Sequence, residues 1–164
     1  MHLTALRIGA HHVVAPRPIV PGTPVLVAEG GLAFSGVWDR VRLPYERVAL
    51  CTPYGTFLSC RAGSDGTLRM TLADDLGPSE AFDEVLWPDG AVSLRTCERT
   101  FVAATDAING PVRADGQDGA SATRFRYGAV PAPLAAQVTE VKGGRPRVAD
   151  MPRQFALPAV EPHG

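Results

Sequence analysis

Lysine is nearly missing from this chain: Lys142 stands alone against fifteen arginines. Lys plus Arg totals 16, Asp plus Glu 17, and the formal net charge is −1, with no basic run. That balance excludes a basic nucleic-acid clamp, so no nucleic-acid partner is expected. No stretch of about 18 apolar residues occurs, so no membrane partner is expected either. Residues 1–16 lack a basic head followed by an unbroken apolar run. No secretory signal is read there, and a cytoplasmic setting is expected. Cysteine is scarce and odd in number. Cys51, Cys60 and Cys97 read as reduced structural thiols. A Gly-rich phosphate loop, a Cys-x-x-Cys pair and a His-Glu-x-x-His helix are all missing. No cofactor and no metal are therefore expected.

What is present is a turn-rich, apolar chain. Its 164 residues suit one main domain with a real core, and 45% of them are apolar. Gly (17) and Pro (15) lie dispersed between short apolar runs, the pattern of many short strands. The preference for Arg over Lys, with abundant Ala, Gly, Pro and Val, is the codon signature of a GC-rich bacterial gene.

A period of 44 residues runs through the first three quarters. Leu6, Leu50 and Leu94 keep that step, as do Thr4, Val48 and Val92. Val14, Leu58 and Val102 keep it, each followed by a small residue, and so do Gly22, Gly66 and Gly110. Trp38, Phe82 and Phe125 follow at steps of 44 and 43. Thr4-x-Leu6, Val48-x-Leu50 and Val92-x-Leu94 have the period of two that marks a half-buried strand. Phe57-Leu58 and Phe101-Val102 belong to a second strand. Asp65-Gly66 and Asn109-Gly110 supply hairpin turns. Leu68-x-Met70 and Val112-x-Ala114 form a third strand, and the aromatics sit on a fourth.

Four short strands in each of three units predict an all-β fold, a β-trefoil of twelve strands over residues 1–127. The repeats fall at about 3–45, 46–90 and 91–127. First and fourth strands would close a six-stranded barrel, and second and third strands would form hairpins capping one end. One unit cannot bury its own apolar face, so three must close about a shared axis. The Leu and aromatic columns are then core.

Two stretches, RVALCTPYGTFLSCRAGSDGTLRM…EAFDEVLWPDG and AVSLRTCERTFVAATDAINGPVRAD…TRFRYG, carry a further likeness. Their succession of Val-x-Leu strand, Gly turn, Phe-Leu-Ser or Phe-Val-Ala strand, second Gly turn and closing aromatic strand resembles fascin-like trefoil repeats. The resemblance covers residues 3–127 and implies the fold. Trefoils of this kind bind actin filaments, sugars or protein partners. A single trefoil without net positive charge does not carry over actin bundling, which uses tandem basic copies. The Gln-x-Trp signature of ricin-type sugar-binding trefoils is not found.

If repeated columns are scaffold, function lies where the copies differ. His11 and His12 fall in the first hairpin turn, opposite Gly55-Thr56 and Arg99-Thr100. They are candidate catalytic acid–base groups, the alternative being two exposed loop histidines. Val25 and Val27 stand where the other copies have Arg69 and Thr71, or Arg113 and Asp115. This predicts either an apolar binding patch or a one-residue slip in register. Asp74, Asp75, Glu80, Asp83 and Glu84 crowd the second copy, as partners for a histidine or as a solvated face. Arg7 and Arg95 match each other, with Cys51 between them. They are candidate binding residues that would clamp an anion, the alternative being pairing with nearby acids.

Residues 128–164 lie beyond the repeats. Six prolines argue against a long helix, and residues near Lys142-Gly143-Gly144 read as a small hairpin. Large apolar residues, Phe155 among them as a candidate binding residue, argue for an extended arm rather than a floppy tail. The arm is expected to dock on the trefoil as a lid, or on a second subunit to give a homodimer.

Two functions fit. One is a stand-alone module binding a small organic ligand or glycan through loops and the arm. The other is a small cofactor-free enzyme of natural-product biosynthesis, catalysing cyclisation, dehydration or conjugate addition with a loop histidine as acid or base.

Overall fold

A computed structural model describes residues 1–104, 109–118 and 122–142. Twelve strands and one helix succeed one another: β1 (Leu3–Ile8), β2 (His11–Val14), β3 (Leu26–Ala28), β4 (Val37–Leu43), β5 (Arg47–Cys51), β6 (Phe57–Ala62), β7 (Leu68–Ala73), β8 (Phe82–Leu86), β9 (Val92–Arg95), β10 (Phe101–Ala103), β11 (Arg113–Gly116), β12 (Arg126–Gly128) and α1 (Ala132–Lys142).

Six strands close on themselves. β1 pairs with β4, β4 with β5, β5 with β8 and β8 with β9. Val92 of β9 then bridges Phe125, and β12 pairs with β1. Closure leaves this ring no free sheet edge. The pairs Thr4–Trp38, Val48–Phe82 and Val92–Phe125 repeat the same contact three times. The three aromatics and Leu6, Leu50 and Leu94 are all buried in one core cluster. Each such side chain contributes roughly 1.5–3 kcal/mol by leaving water.

The hairpins β2–β3, β6–β7 and β10–β11 meet across one end of the ring. Their junction is a closed circuit of backbone hydrogen bonds. Val25 N–H donates to the Met70 carbonyl (3.1 Å), Met70 to Val112 (3.2 Å), and Val112 back to Val25 (3.1 Å). Val25, Met70 and Val112 are thus equivalent, and so are Val27, Leu72 and Ala114 two residues on. Val25 is 1% exposed and Val27 0%. The apolar surface patch expected there is corrected: both valines are core, and the register slips by one residue.

The slip has a local cause. Ile8 pairs with His11 around the two-residue loop Gly9-Ala10, with Gly9 at φ +60°. The other repeats use three-residue loops, Pro53–Gly55 and Cys97–Arg99. There Thr52 N–H donates to Thr56 O (2.7 Å) and Thr96 N–H to Thr100 O (2.8 Å). The shorter first loop makes Val13, not Val14, the counterpart of Leu58 and Val102, and all three are buried.

Beyond the repeats, residues 132–142 form α1 and not the extended arm expected. Pro131 and Pro133 do not oppose this, because N–H groups of a first turn have no intrahelical acceptor. The Pro131 carbonyl accepts the Ala135 N–H at 2.9 Å. Val138 is fully buried, and α1 lies against a short 3-10 turn at Phe34–Gly36. The small hairpin expected around Lys142-Gly143-Gly144 is corrected in its first half, where residues 137–142 are part of α1; its second half and Phe155 lie outside the described residues.

Candidate functional site

The first hairpin departs from the second because of its prolines. In the second repeat the ladder runs on through Cys60–Met70, Arg61–Arg69 and Ala62–Leu68. It closes on a tight turn in which Gly66 takes φ +82° and its N–H donates to Gly63 O at 2.9 Å. In the first repeat the ladder stops at Val14–Leu26. Pro16, Pro18, Pro21 and Pro24 follow within nine residues and remove the donors a longer ladder needs. The far end of this loop is pinned to β7 by Gly22 N–H on Leu72 O (2.8 Å). Thr23 Oγ1 ties the loop to itself by donating to Pro18 O at 2.7 Å.

The splayed loop makes one wall of a groove of about 650 Å³. Arg17 to Pro21 form that wall, and Tyr54, Thr56 and Asp74 of the second repeat face it. Ile19 is buried, while Arg17, Val20 and Asp74 are exposed. Thr56 Oγ1 lies 2.7 Å from Thr52 Oγ1, so its hydroxyl is already fixed. Tyr54 is half-buried, with its ring edge-on to Phe34. An aromatic face, apolar walls, a carboxylate and a guanidinium thus converge on one concavity, the usual composition of a small-ligand site.

The residues singled out from sequence fall elsewhere. His11 and His12 are not in a turn but begin β2, because the loop before them is short. Neighbouring strand residues point to opposite faces, so the two cannot act as one acid–base pair. His11 shares a face with buried Val13, and its Nδ1 is buried without a hydrogen-bond partner among the described atoms. His12 pairs with Arg7 on β1 and Ala28 on β3. Burial and the Arg7 charge push its pKa down against a hydrogen bond to the Gly30 carbonyl.

Arg7 and Arg95 occupy equivalent positions a third of a turn apart and do not form a clamp. Arg95 NH2 donates to Asp83 at 3.1 Å, and Arg47 joins the same carboxylate at 3.5 Å. Of the second-repeat acids, Glu80 is buried and holds its own turn together. It accepts from Gly77 N–H (2.8 Å), the Ser59 hydroxyl and Arg61 (3.3 Å). Among the described residues no group of three or more His, Cys, Asp or Glu is placed to hold a metal ion.

A polar cluster inside the barrel was not anticipated. Arg40, Glu84 and Tyr127 each lie two residues past the aromatic column, on β4, β8 and β12. They are therefore equivalent, and their side chains meet. Arg40 Nε donates to Glu84 Oε2 at 2.8 Å, a second Arg40 nitrogen pairs with Oε1, and the Tyr127 hydroxyl donates to Oε2. The Arg40 guanidinium also lies 5.3 Å from the centre of the Tyr127 ring. Burial works to raise the Glu84 carboxyl, but hydrogen bonds from Arg40 and Tyr127 and the charges of Arg40 and Arg42 outweigh it. The group sits below the ordinary value. Tyr127 is pushed up by burial and by Glu84. The steps of 44 and 43 that mark the aromatics mark these residues too.

No family model matches this sequence, and no curated protein matches it. Solved structures match its fold, which is β-trefoil-like. A designed 3-fold symmetric protein, ThreeFoil, is similar with a TM-score of 0.70 and 13% identity, over 78% of this chain and 99% of that one. A mosquitocidal holotoxin is similar with a TM-score of 0.69 and 10% identity, over 79% of this chain but 17% of its own. The Haemophilus ducreyi cytolethal distending toxin is similar with a TM-score of 0.61 and 13% identity, over 79% of this chain and 83% of that one. No helix among the described residues is long and apolar enough to cross a membrane.

Proposed function

We propose that this chain is a fascin-like β-trefoil binding module whose ligand, a small organic molecule or a glycan, lies in the groove between the first and second repeats. One observation carries the reading: one wall of the groove is the proline-rich loop of residues 16–24, which departs from the hairpin geometry of its counterpart in the second repeat. A scaffold alone has no use for that departure. Tyr54 offers a ring against which the C–H face of a sugar or another flat ligand packs. Asp74 and Arg17 offer an acceptor and a fork of donors at the rim, suited to hydroxyl groups. Ile19, Val20 and Pro21 supply the apolar wall.

The test is a glycan array and a small-molecule library, screened by saturation-transfer NMR against the full chain. Expected is a ligand class whose signal is lost in both Tyr54→Ala and Asp74→Asn, each variant still folded by circular dichroism. Binding that survives both substitutions, or no ligand from either collection, overturns the reading.

A further inference from the structure

One row of the first repeat differs in charge from its counterparts in the other two. Reading across neighbouring strands, Arg126 of β12 pairs with Arg7 of β1, Arg7 with His12 of β2, and His12 with Ala28 of β3. Directly paired residues share a face, so three basic groups stand side by side on the outside of the sheet. The equivalent row of the second repeat is Asp39, Cys51, Phe57 and Ala73. In the third it is Asp83, Arg95, Phe101 and Gly116. Where the third repeat sets an acid against its arginine, the first sets a second arginine.

Like charges directly opposite each other are unfavourable. Arg126 escapes by turning to Asp89, with NH2 on Oδ2 at 3.1 Å and NH1 on the backbone carbonyl at 2.9 Å. Arg7 has no such exit. It is exposed, and no described carboxylate pairs with it. Its stem lies over Gly128, where an added Cβ would come within 3.0 Å of Arg7 Cδ. A glycine there lets the arginine lie close to the sheet, next to His12. Arg7 and His11 are the titratable side chains that oppose a proton on His12, and the loop before β4 contributes the Gly30 carbonyl. Nearby Glu29 is exposed and pairs with neither Arg7 nor His12.

We infer that Arg7 and His12, flanked by Arg126, form a binding site for a small oxyanion, a carboxylate or a phosphate group, on the outer face of the first repeat. Arg7 supplies a planar fork that takes two oxygens at once. His12 gains a proton as the anion arrives, because the negative charge offsets the repulsion from Arg7. The site is separate from the groove, and its fate does not depend on the groove's.

The probes are sodium phosphate and sodium acetate, each against sodium chloride of equal ionic strength, on the full chain. Expected is a saturable rise in Tm of about 4 °C or more with at least one oxyanion, together with movement of the His12 ring signals and an upward shift of their titration. Phosphate acting alone identifies a phosphate site, acetate alone a carboxylate site, and both a general oxyanion site. Arg7→Gln should abolish the response. Arg95→Gln, which removes an arginine already tied to Asp83, should leave it whole. If Arg7→Gln does not fold, His12→Gln takes its place and should weaken the response at least tenfold. No response beyond chloride, or one that survives these substitutions, overturns the site.

Discussion

Tyr54 meets Phe34 edge-on, with ring centroids 5.5 Å apart and planes inclined at 61°. The contact joins the groove to the C-terminal helix. Phe34 belongs to the 3-10 turn on which α1 rests, and Val138 is the fully buried residue of α1. Val138→Ala should cost about 2 kcal/mol in urea unfolding, the ordinary loss for trimming a buried side chain. It should also move the ring signals of both Phe34 and Tyr54 in NMR spectra. Unmoved Tyr54 signals would show that α1 stabilises the fold without supporting the groove.

The three thiols should separate by reactivity. Cys51 and Cys60 are buried and Cys97 is exposed, and none is in a disulfide. Burial, with the nearby Cys97, pushes the Cys60 thiol up to about 11. Burial and Glu98 also raise Cys97, so even the exposed thiol is not activated. Since the thiolate is the reacting species, a chromogenic disulfide reagent at pH 8 should titrate one slow thiol in the native protein and all three in denaturant. Cys97→Ser should remove the native reaction. Fast reaction of a second thiol would contradict the burial of Cys51 or Cys60.

Trp38 differs from its counterparts Phe82 and Phe125 by one polar handle. Its Nε1 donates to the buried Val13 carbonyl at 3.0 Å. Trp38→Phe would restore the symmetry of the layer yet leave that carbonyl without a partner and the core short of volume. A loss of about 2–4 kcal/mol is expected from the two effects together, read as a lowered midpoint in urea at unchanged slope. A neutral result would mean that the layer repacks around phenylalanine.

The sequence was most legible where symmetry repeats a burial. Leu6, Leu50 and Leu94 have the same neighbours three times, so a fixed step reports a fixed environment. Legibility failed where loop lengths differ. Gly9-Ala10 is a two-residue loop against three-residue counterparts, and from there a count of 44 lands one residue late. A step of 44 therefore points to Val14 in place of Val13 and sets Val25 and Val27 against surface residues. The helix at 132–142 was hidden by prolines whose cost vanishes in a first turn. The groove had a signal, the four prolines from Pro16 to Pro24, which mark the end of a ladder. Arg40, Glu84 and Tyr127 sat on the repeat in plain sight. Three different polar types do not look like one column until the barrel brings them together.

That cluster makes the sharpest prediction about pH. Glu84 titrates lower in the folded chain than when unfolded, since its two donors and the neighbouring arginine charges overcome the penalty of burial. A group of this kind stabilises the fold fully above its unfolded pKa, and the contribution disappears as pH falls through the folded value. Glu84→Gln should cost about 1–3 kcal/mol at pH 7, because it leaves the half-buried Arg40 without its countercharge. As pH falls through that folded value the wild type loses what the variant has already lost, so the two unfolding curves should converge. Replacing all three residues by leucine should behave differently. An apolar layer of similar volume needs no pairing, so the triple variant should match or exceed wild-type stability at pH 7 and respond less to acid. A triple variant as unstable as Glu84→Gln would mean that the charged layer is needed to hold the barrel's register, not merely tolerated within it.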